Sequence, residues 1–300
     1  ARRQSKALKK ERKMQRPGAA ILEEVKPLWD ECRQTNLTTE QRAAPLQKLF
    51  EAMQGHHVES LIKNDGSRIV QTIVKYGTKE QREAIINELK GHFVALAKNA
   101  YGKHIITKLM QSTPTGRAMI ISEFQNKLLS CLKHKHASSV VDTIYSDYCK
   151  VAQRNDMMHE FYGKQFTLFA DYAGLSLEDI MERCPERKQQ IVEKLRKAVD
   201  GVLSKESTNL VHHSVVHRLI LDYVRHEDVV KLRTWTPTIV DSLMEIVHTE
   251  DGAKAVVLLT AIAGAKERKA LIKAARPYLQ KLIRDESAHL AVIAMCQFVD

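Results

Sequence analysis

No stretch of this 300-residue chain approaches the roughly 18 consecutive apolar residues that a membrane helix needs. The N-terminus is charged rather than apolar, so it does not show the pattern of a secretory leader. Cysteine is sparse. Cys32, Cys131, Cys149, Cys184 and Cys296 are odd in number, far apart and without a CxxC pair. That argues against a disulfide framework and a thiolate zinc site, and for a reducing compartment. Sustained period-two alternation is missing, so strands are not predicted. Catalytic signatures are missing as well. "NAYGKHI" has a Gly-Lys pair but neither a Gly-rich loop nor a following Ser or Thr, and no GxSxG or paired-carboxylate pattern appears. "HHSVVH" holds His212, His213 and His217 without the glutamate of a zincin motif, so no metal or other cofactor is expected and the chain is not read as an enzyme.

What is present is positive charge and helical spacing. Lys and Arg number 47 against 36 Asp and Glu, a net charge of +11. Most of the excess sits in the first sixteen residues, where Arg2, Arg3, Lys6, Lys9, Lys10, Arg12, Lys13 and Arg16 face only Glu11. Such a block suits phosphate contacts or nuclear import. Pro17-Gly18 separates it from the rest of the chain. Beyond it, apolar residues recur at helical spacing: Ile21, Val25, Leu28, Trp29 and Cys32 on one face, Leu46, Leu49, Phe50 and Met53 on another. Thr78 and Gln81 read as a capping box, and Gly91 as the end of that helix region. The expectation is an all-α chain.

A pattern repeats along it. "NDGSRIVQTI" carries Gly66, "NAYGKHIITKL" Gly102 and "KHASSVVDTIY" Ala137. "ESTNLVHHSVV" places Thr208 in the same role, "EDGAKAVVLL" Gly252 and "DESAHLAVIAM" Ala288, with a weaker candidate, "FYGKQFTLF", around Gly163. A small residue is followed by two variable residues, two mostly apolar ones and another variable one. A period near 36 is the mark of a helical solenoid, in which each unit buries its apolar face only by stacking on its neighbours. In the first unit Ile69, Val70, Ile73 and Val74 supply core. Ser67 and Gln71, four residues apart, share a face with Arg68 beside them. Phe166, Leu168, Phe169, Tyr172 and Leu175 are read as filling an irregular junction, with a docking patch as the alternative.

"DGSRIVQTI" and "YGKHIITKL" resemble the RNA-facing helix of Pumilio (PUF) repeats. The basic "LKKERKMQRP" arm, Trp29, "LIKNDGSRIVQTIVKYG", "KNAYGKHIITKLM" and "HEFYGKQFTLF" are most similar to the divergent Puf-A type of that family. The resemblance implies a right-handed superhelical solenoid of three-helix, armadillo-like repeats. It implies binding of RNA or DNA with little sequence preference, nucleolar residence and work in large ribosomal subunit assembly, with translational repression in some members. Residues 1–18 then form a basic arm. Residues 19–300 form the repeat domain, irregular near 150–200 and continuing past Asp300.

In the family, the first and last residues of each variable triplet meet a base edge and the middle one stacks between bases. Carried over, the triplets are Ser67, Arg68 and Gln71; Lys103, His104 and Thr107; Ser138, Ser139 and Asp142; and Asn209, Leu210 and His213. Ala253, Lys254 and Val257, then His289, Leu290 and Ile293, complete the series. Only the first is chemically intact, so discrimination, at about 1–3 kcal/mol per good bidentate contact, is expected to be weak. Lys63, Lys75, Lys98 and Lys108 join Lys103 as candidate phosphate contacts. The expected partners are pre-ribosomal RNA, messenger RNA or DNA, and ribosomal proteins or assembly factors of the pre-60S particle, with this chain a monomer inside that particle and no membrane involved. A sequence-specific messenger RNA repressor and a protein scaffold touching RNA only through the arm are the alternatives.

Overall fold

The computed structural model describes residues 18–204 and 210–298, and every regular element among them is helical. The chain divides into two compact units, Ala1–Ile144 and Tyr145–Asp300. The basic arm, Thr208 and Asn209 lie outside the described residues.

The first unit opens with α1 (Ala19–Cys32) packed on α2 (Thr39–Met53). Repeats follow: a short α3 (His57–Leu61), a long α4 (Asn64–Tyr76) and α5 (Lys79–Leu89), then α6 (Phe93–Lys98), α7 (Lys103–Ser112) and α8 (Arg117–Phe124), then α9 (Leu128–Leu132) and α10 (Ala137–Thr143). The expected capping box forms at α5, where the Gln81 amide donates to Thr78 Oγ1 (3.3 Å) and the Thr78 amide donates to Gln81 Oε1 (2.9 Å). Thr38 and Gln41 make the same device at α2. Ile69, Val70, Ile73 and Val74 are fully buried. Each such side chain stabilises the fold by about 1.5–3 kcal/mol.

Two contacts give the repeat its pitch. The small residue sits at the start of the long helix, third within it at Gly66 and its N-cap at Gly102, and lies on a carbonyl of the short helix before it. A Cβ at Gly66 would stand 2.2 Å from the Ser60 carbonyl oxygen, and one at Gly102 2.8 Å from that of Leu96. The second contact closes each repeat, from its third helix back to the start of its first. Glu88 of α5 accepts from the amides of Gly55 (3.1 Å) and His57 (2.9 Å), and so caps α3. One repeat on, Glu123 of α8 does the same for Gly91 and Phe93. Gly55 and Gly91 hold φ of 76° and 84°, a left-handed turn that suits glycine.

The second unit comprises α11 (Val151–Tyr162), α12 (Lys164–Leu168), α13 (Leu177–Arg183), α14 (Lys188–Leu203), α15 (Ser214–His226) and α16 (Val229–Trp235), then α17 (Leu243–Ile246), α18 (Glu250–Ile262), α19 (Ala265–Ala275), α20 (Leu279–Arg284) and α21 (His289–Gln297). The glycine contact returns at Gly252, whose Cβ would meet the Ile246 carbonyl oxygen at 1.8 Å. Phe166 is buried and packs edge-on against Tyr172 at 5.0 Å. Leu168 and Phe169 do not fill a junction as expected: they are 74% and 60% exposed.

The repeat register differs from the sequence reading in two places. In the fifth unit the described residues put the small position at Val216, where the sequence pattern points to Thr208. Helix α15 begins after an extended N-cap at His213, as α4 does after Lys63 and α18 after Thr249. Three residues beyond that cap stands Val216, in the place of Gly66 and Gly252. Gly163 does not hold the fourth position. It has a φ of 151° and lies between α11 and α12. The fourth unit is read from its C-terminal end. Cys184 (φ −131°, ψ 62°) repeats the Thr113 geometry (φ −133°, ψ 77°), and each precedes a proline that opens a 3₁₀ turn. Counted back eleven residues from that end, as Gly102 is from Thr113, the small position falls on Ala173, which is exposed and stands before the Ser176 N-cap of α13 and so makes no helix crossing; by this count the series runs Gly66, Gly102, Ala137, Ala173, Val216, Gly252 and Ala288. Spacing stays at 35 or 36 residues except between Ala173 and Val216, where it is 43. The 16-residue α14, longer than α5 or α8, occupies that interval.

Burial in α15 reaches polar groups. Asp222 has no exposure. Its carboxylate accepts from the Tyr162 hydroxyl (2.6 Å) and from Arg218 Nε (2.7 Å). Burial raises Asp222 to about 6, against the opposing pull of Arg218 and the Tyr162 hydrogen bond. A carboxyl whose folded value lies above its unfolded one stabilises most at low pH, and that contribution is lost as pH rises through the folded value.

Gly252→Ala is expected to cost about 1–3 kcal/mol or more by overpacking, whereas Gly201→Ala, in α14 with open space around it, gains up to about 1 kcal/mol; urea unfolding of both separates a packing constraint from helix propensity. Asp222→Ala strands Arg218 and the Tyr162 hydroxyl and is expected to cost about 3–5 kcal/mol. Relative to Asp222→Asn, the wild type loses stability between pH 4 and 7, at about 1.4 kcal/mol per unit of pKa difference; the opposite slope in pH-dependent unfolding would contradict the assignment.

Candidate nucleic-acid interface

Helical spacing brings the residues after each small position to one face of each long helix. In α4 they divide by burial. Ser67 is 2% exposed; its hydroxyl donates to the Tyr101 carbonyl (2.8 Å) and accepts from Gln71 Nε2 (2.9 Å). The hydroxyl expected at a base edge therefore joins α4 to the start of the next repeat and turns the Gln71 amide inward. Arg68 is exposed.

In α7, His104 is exposed while Lys103 and Thr107 are half-buried. Partial burial and the Lys103 charge lower the His104 value, which favours a neutral ring. Partial burial lowers the His136 value too, with the Lys103 charge of the preceding repeat adding to the effect. Ser138 is half-buried, and the Ser139 hydroxyl donates to the His136 carbonyl (3.3 Å). Lys63 is the half-buried N-cap of α4, and Lys98 Nζ lies 3.5 Å from Ser130 Oγ. Lys75 donates to the Tyr76 hydroxyl (2.8 Å) and holds that phenol below its ordinary value.

The corrected register changes the later triplets. His213 is an N-cap and not a base-facing residue. The fourth unit offers Gly174, Leu175 and Glu178, with Glu178 3.4 Å from Arg225 Nη1. The fifth offers His217, Arg218 and Leu221. His217 is fully buried, 2.7 Å from both the Val211 carbonyl oxygen and Thr249 Oγ1, and Leu221 is fully buried too. In the sixth, Ala253 is buried and Lys254 pairs with Glu250 at 2.5 Å. The seventh has His289 facing the Asp285 carbonyl (3.0 Å), with Leu290 and Ile293 exposed. Among the described residues no group of three or more His, Cys, Asp or Glu could hold a metal ion.

An open cleft of about 390 Å³ lies on the same face of the first unit. Arg68, Lys75 and Lys108 line it together with Trp29, Arg33 and Tyr76. The last three were not legible as site residues, because Trp29 and Arg33 come from α1 and Tyr76 from the far end of α4. The Trp29 indole donates to Thr72 Oγ1 (2.9 Å), and that hydroxyl donates to the Arg68 carbonyl (2.9 Å), which sets the ring plane.

Residues 66–90 match the family model described as Pumilio-family RNA binding repeat. The chain is 33% identical over 300 residues to the Pumilio homology domain family member 6 of Schizosaccharomyces pombe, covering 99% of this chain and 46% of that protein. It is 27% identical over 302 residues to human Pumilio homolog 3, covering 100% of this chain and again 46% of the relative. The chain thus spans about half the length of the curated relatives it matches. The crystal structure of human Puf-A in complex with DNA superposes with a TM-score of 0.85 at 26% identity, over 94% of this chain and 55% of that one. Helix order, the 36-residue register and these similarities together place the chain among the Pumilio-repeat proteins, in their divergent Puf-A type.

Proposed function

We propose that this chain binds nucleic acid through its phosphates, largely without regard to base sequence, and that it serves pre-ribosomal RNA processing and assembly of the large ribosomal subunit in the nucleolus. One observation carries the reading. Along the base-facing register the reading chemistry fails, while the cations of the first unit remain on that face. Ser67 is buried, the fifth triplet has His217 and Leu221 in the core and its Arg218 paired with Asp222, and the sixth and seventh are mostly apolar. Arg68 and Lys75 are exposed, with Lys103 and Lys108 half-buried beside them. Contacts of that kind position a nucleic acid without reading it. The basic residues from Arg2 to Arg16 add charge to the same task. That human Puf-A was crystallised with DNA supports the ligand class. Ribosomal proteins and assembly factors of the pre-60S particle are the proposed neighbours.

A scaffold role has its own support. In the second unit the base-facing register carries Val257, Leu290 and Ile293, which line a cleft of about 470 Å³ together with Leu258, Arg225 and Lys254. Its apolar lining suits a protein segment, with Arg225 and Lys254 at hand for an acidic residue of that segment.

Titrating the chain with unrelated RNAs and a duplex DNA across salt is expected to give affinities within about tenfold of one another and a steep common slope. Replacing Arg68, Lys75 and Lys108 together by alanine should flatten that slope by about one unit for each cation taken from a phosphate, equally for every sequence. A preference of about 100-fold for one RNA, nearly 3 kcal/mol, would instead favour a messenger RNA regulator. Removing residues 1–16 separates the scaffold: complete loss of RNA binding would leave the repeats to protein partners alone.

A further inference from the structure

The aromatic cleft of the first unit has chemistry that phosphate binding does not need. Its ring, Trp29, comes from α1, ahead of the first repeat. Its far wall, Tyr76, is ten residues past Gly66 and well beyond the triplet. No acidic side chain lines it. The Trp29 ring is held at one edge by Thr72, so its orientation is set before any ligand arrives. The Arg33 guanidinium covers the ring at 4.9 Å. That cover is loosely held: Arg33 is mostly solvent-exposed and pairs only with the equally exposed Asp30, at 3.0 Å. The Tyr76 ring is less available, since Arg42 lies 4.1 Å and Lys75 Nζ 4.5 Å from its centre.

We propose that this cleft holds one unstacked nucleotide, its base on the Trp29 ring and its phosphate on Lys108 and Arg68. The base takes the place that Arg33 covers in the free protein. Base stacking on an indole is stronger than an exposed cation–π contact, so the exchange favours the nucleotide, and the released Arg33 turns to phosphate. The cleft volume falls within the range of small-ligand sites. The cations select a phosphorylated ligand over an apolar peptide, and the single open ring face selects an unpaired base over a paired one. This inference rests on the nucleic-acid reading above and adds a stacking platform, Trp29, from outside the base-facing register, beside Arg68 of the first triplet.

Tryptophan fluorescence tests it. Trp235 is 3% exposed in the other unit, so a change on adding nucleic acid reports Trp29. A short single-stranded oligonucleotide should quench the emission of the wild-type chain. An oligonucleotide of the same length built from abasic residues should bind without quenching, and Trp29→Phe should bind the normal strand with no quench. Trp29→Ala should weaken single-strand binding by about 5- to 100-fold while leaving blunt duplex affinity within about twofold. Equal quenching by the abasic strand, no quenching at all, or unchanged single-strand affinity in Trp29→Ala overturns the proposal. Should Trp29→Ala unfold, the abasic comparison on the wild-type chain still decides. Failure of the wild-type chain to bind any strand or duplex would defeat the nucleic-acid reading itself, a distinct result.

Discussion

Each repeat depends on a long helix crossing the end of the short helix before it at backbone-to-backbone distance. Gly66 and Gly252 have no room for a side chain against the Ser60 and Ile246 carbonyls. That approach places Ile69, Val70, Ile73 and Val74 in the core and leaves the adjacent residues of the helix on the outer face. Polar contacts then lock each repeat and join it to its neighbour. Glu88 and Glu123 each cap the first helix of their own repeat, and Ser67 of α4 bonds across to the chain at Tyr101 of the next. Orphan helix-end amides and a buried hydroxyl are thus satisfied, as burial requires.

The face that would read bases is built by the same geometry, and its use varies along the chain. In the first repeats it carries cations and two aromatic rings. In α15 it is consumed by packing. Val216 stands where glycine would allow close approach, His217 bonds inward, and Arg218 is drawn to Asp222. In the last repeats it is apolar. Such variation suits a polyanion held by the first unit better than a code read repeat by repeat.

The local signals were legible where one residue type has one physical use. Thr78 and Gln81 form their capping box, the apolar stripe of α4 is buried, and the glycines at Gly66, Gly102 and Gly252 hold the helix crossings. The register failed where a small residue has several uses. Gly163 ends a helix and so does not mark a crossing, and in the fifth unit the position falls on Val216, which is not small. The long α14 shifted the spacing by seven residues, which a fixed period cannot anticipate.

Sequence alone determined the helical class, the repeat, the core stripe and the concentration of positive charge at the N-terminus, because each arises from spacing and composition within one or two turns of helix. Only the tertiary structure decided which polar residues remain available. Ser67 looks like a ligand in sequence and is a buried bond in the fold, since its partner comes from the next repeat. Trp29 looks like core and instead lines a cleft with Lys108, from a helix two repeats removed in sequence. Exposure belongs to the packed assembly, and no single helix contains it.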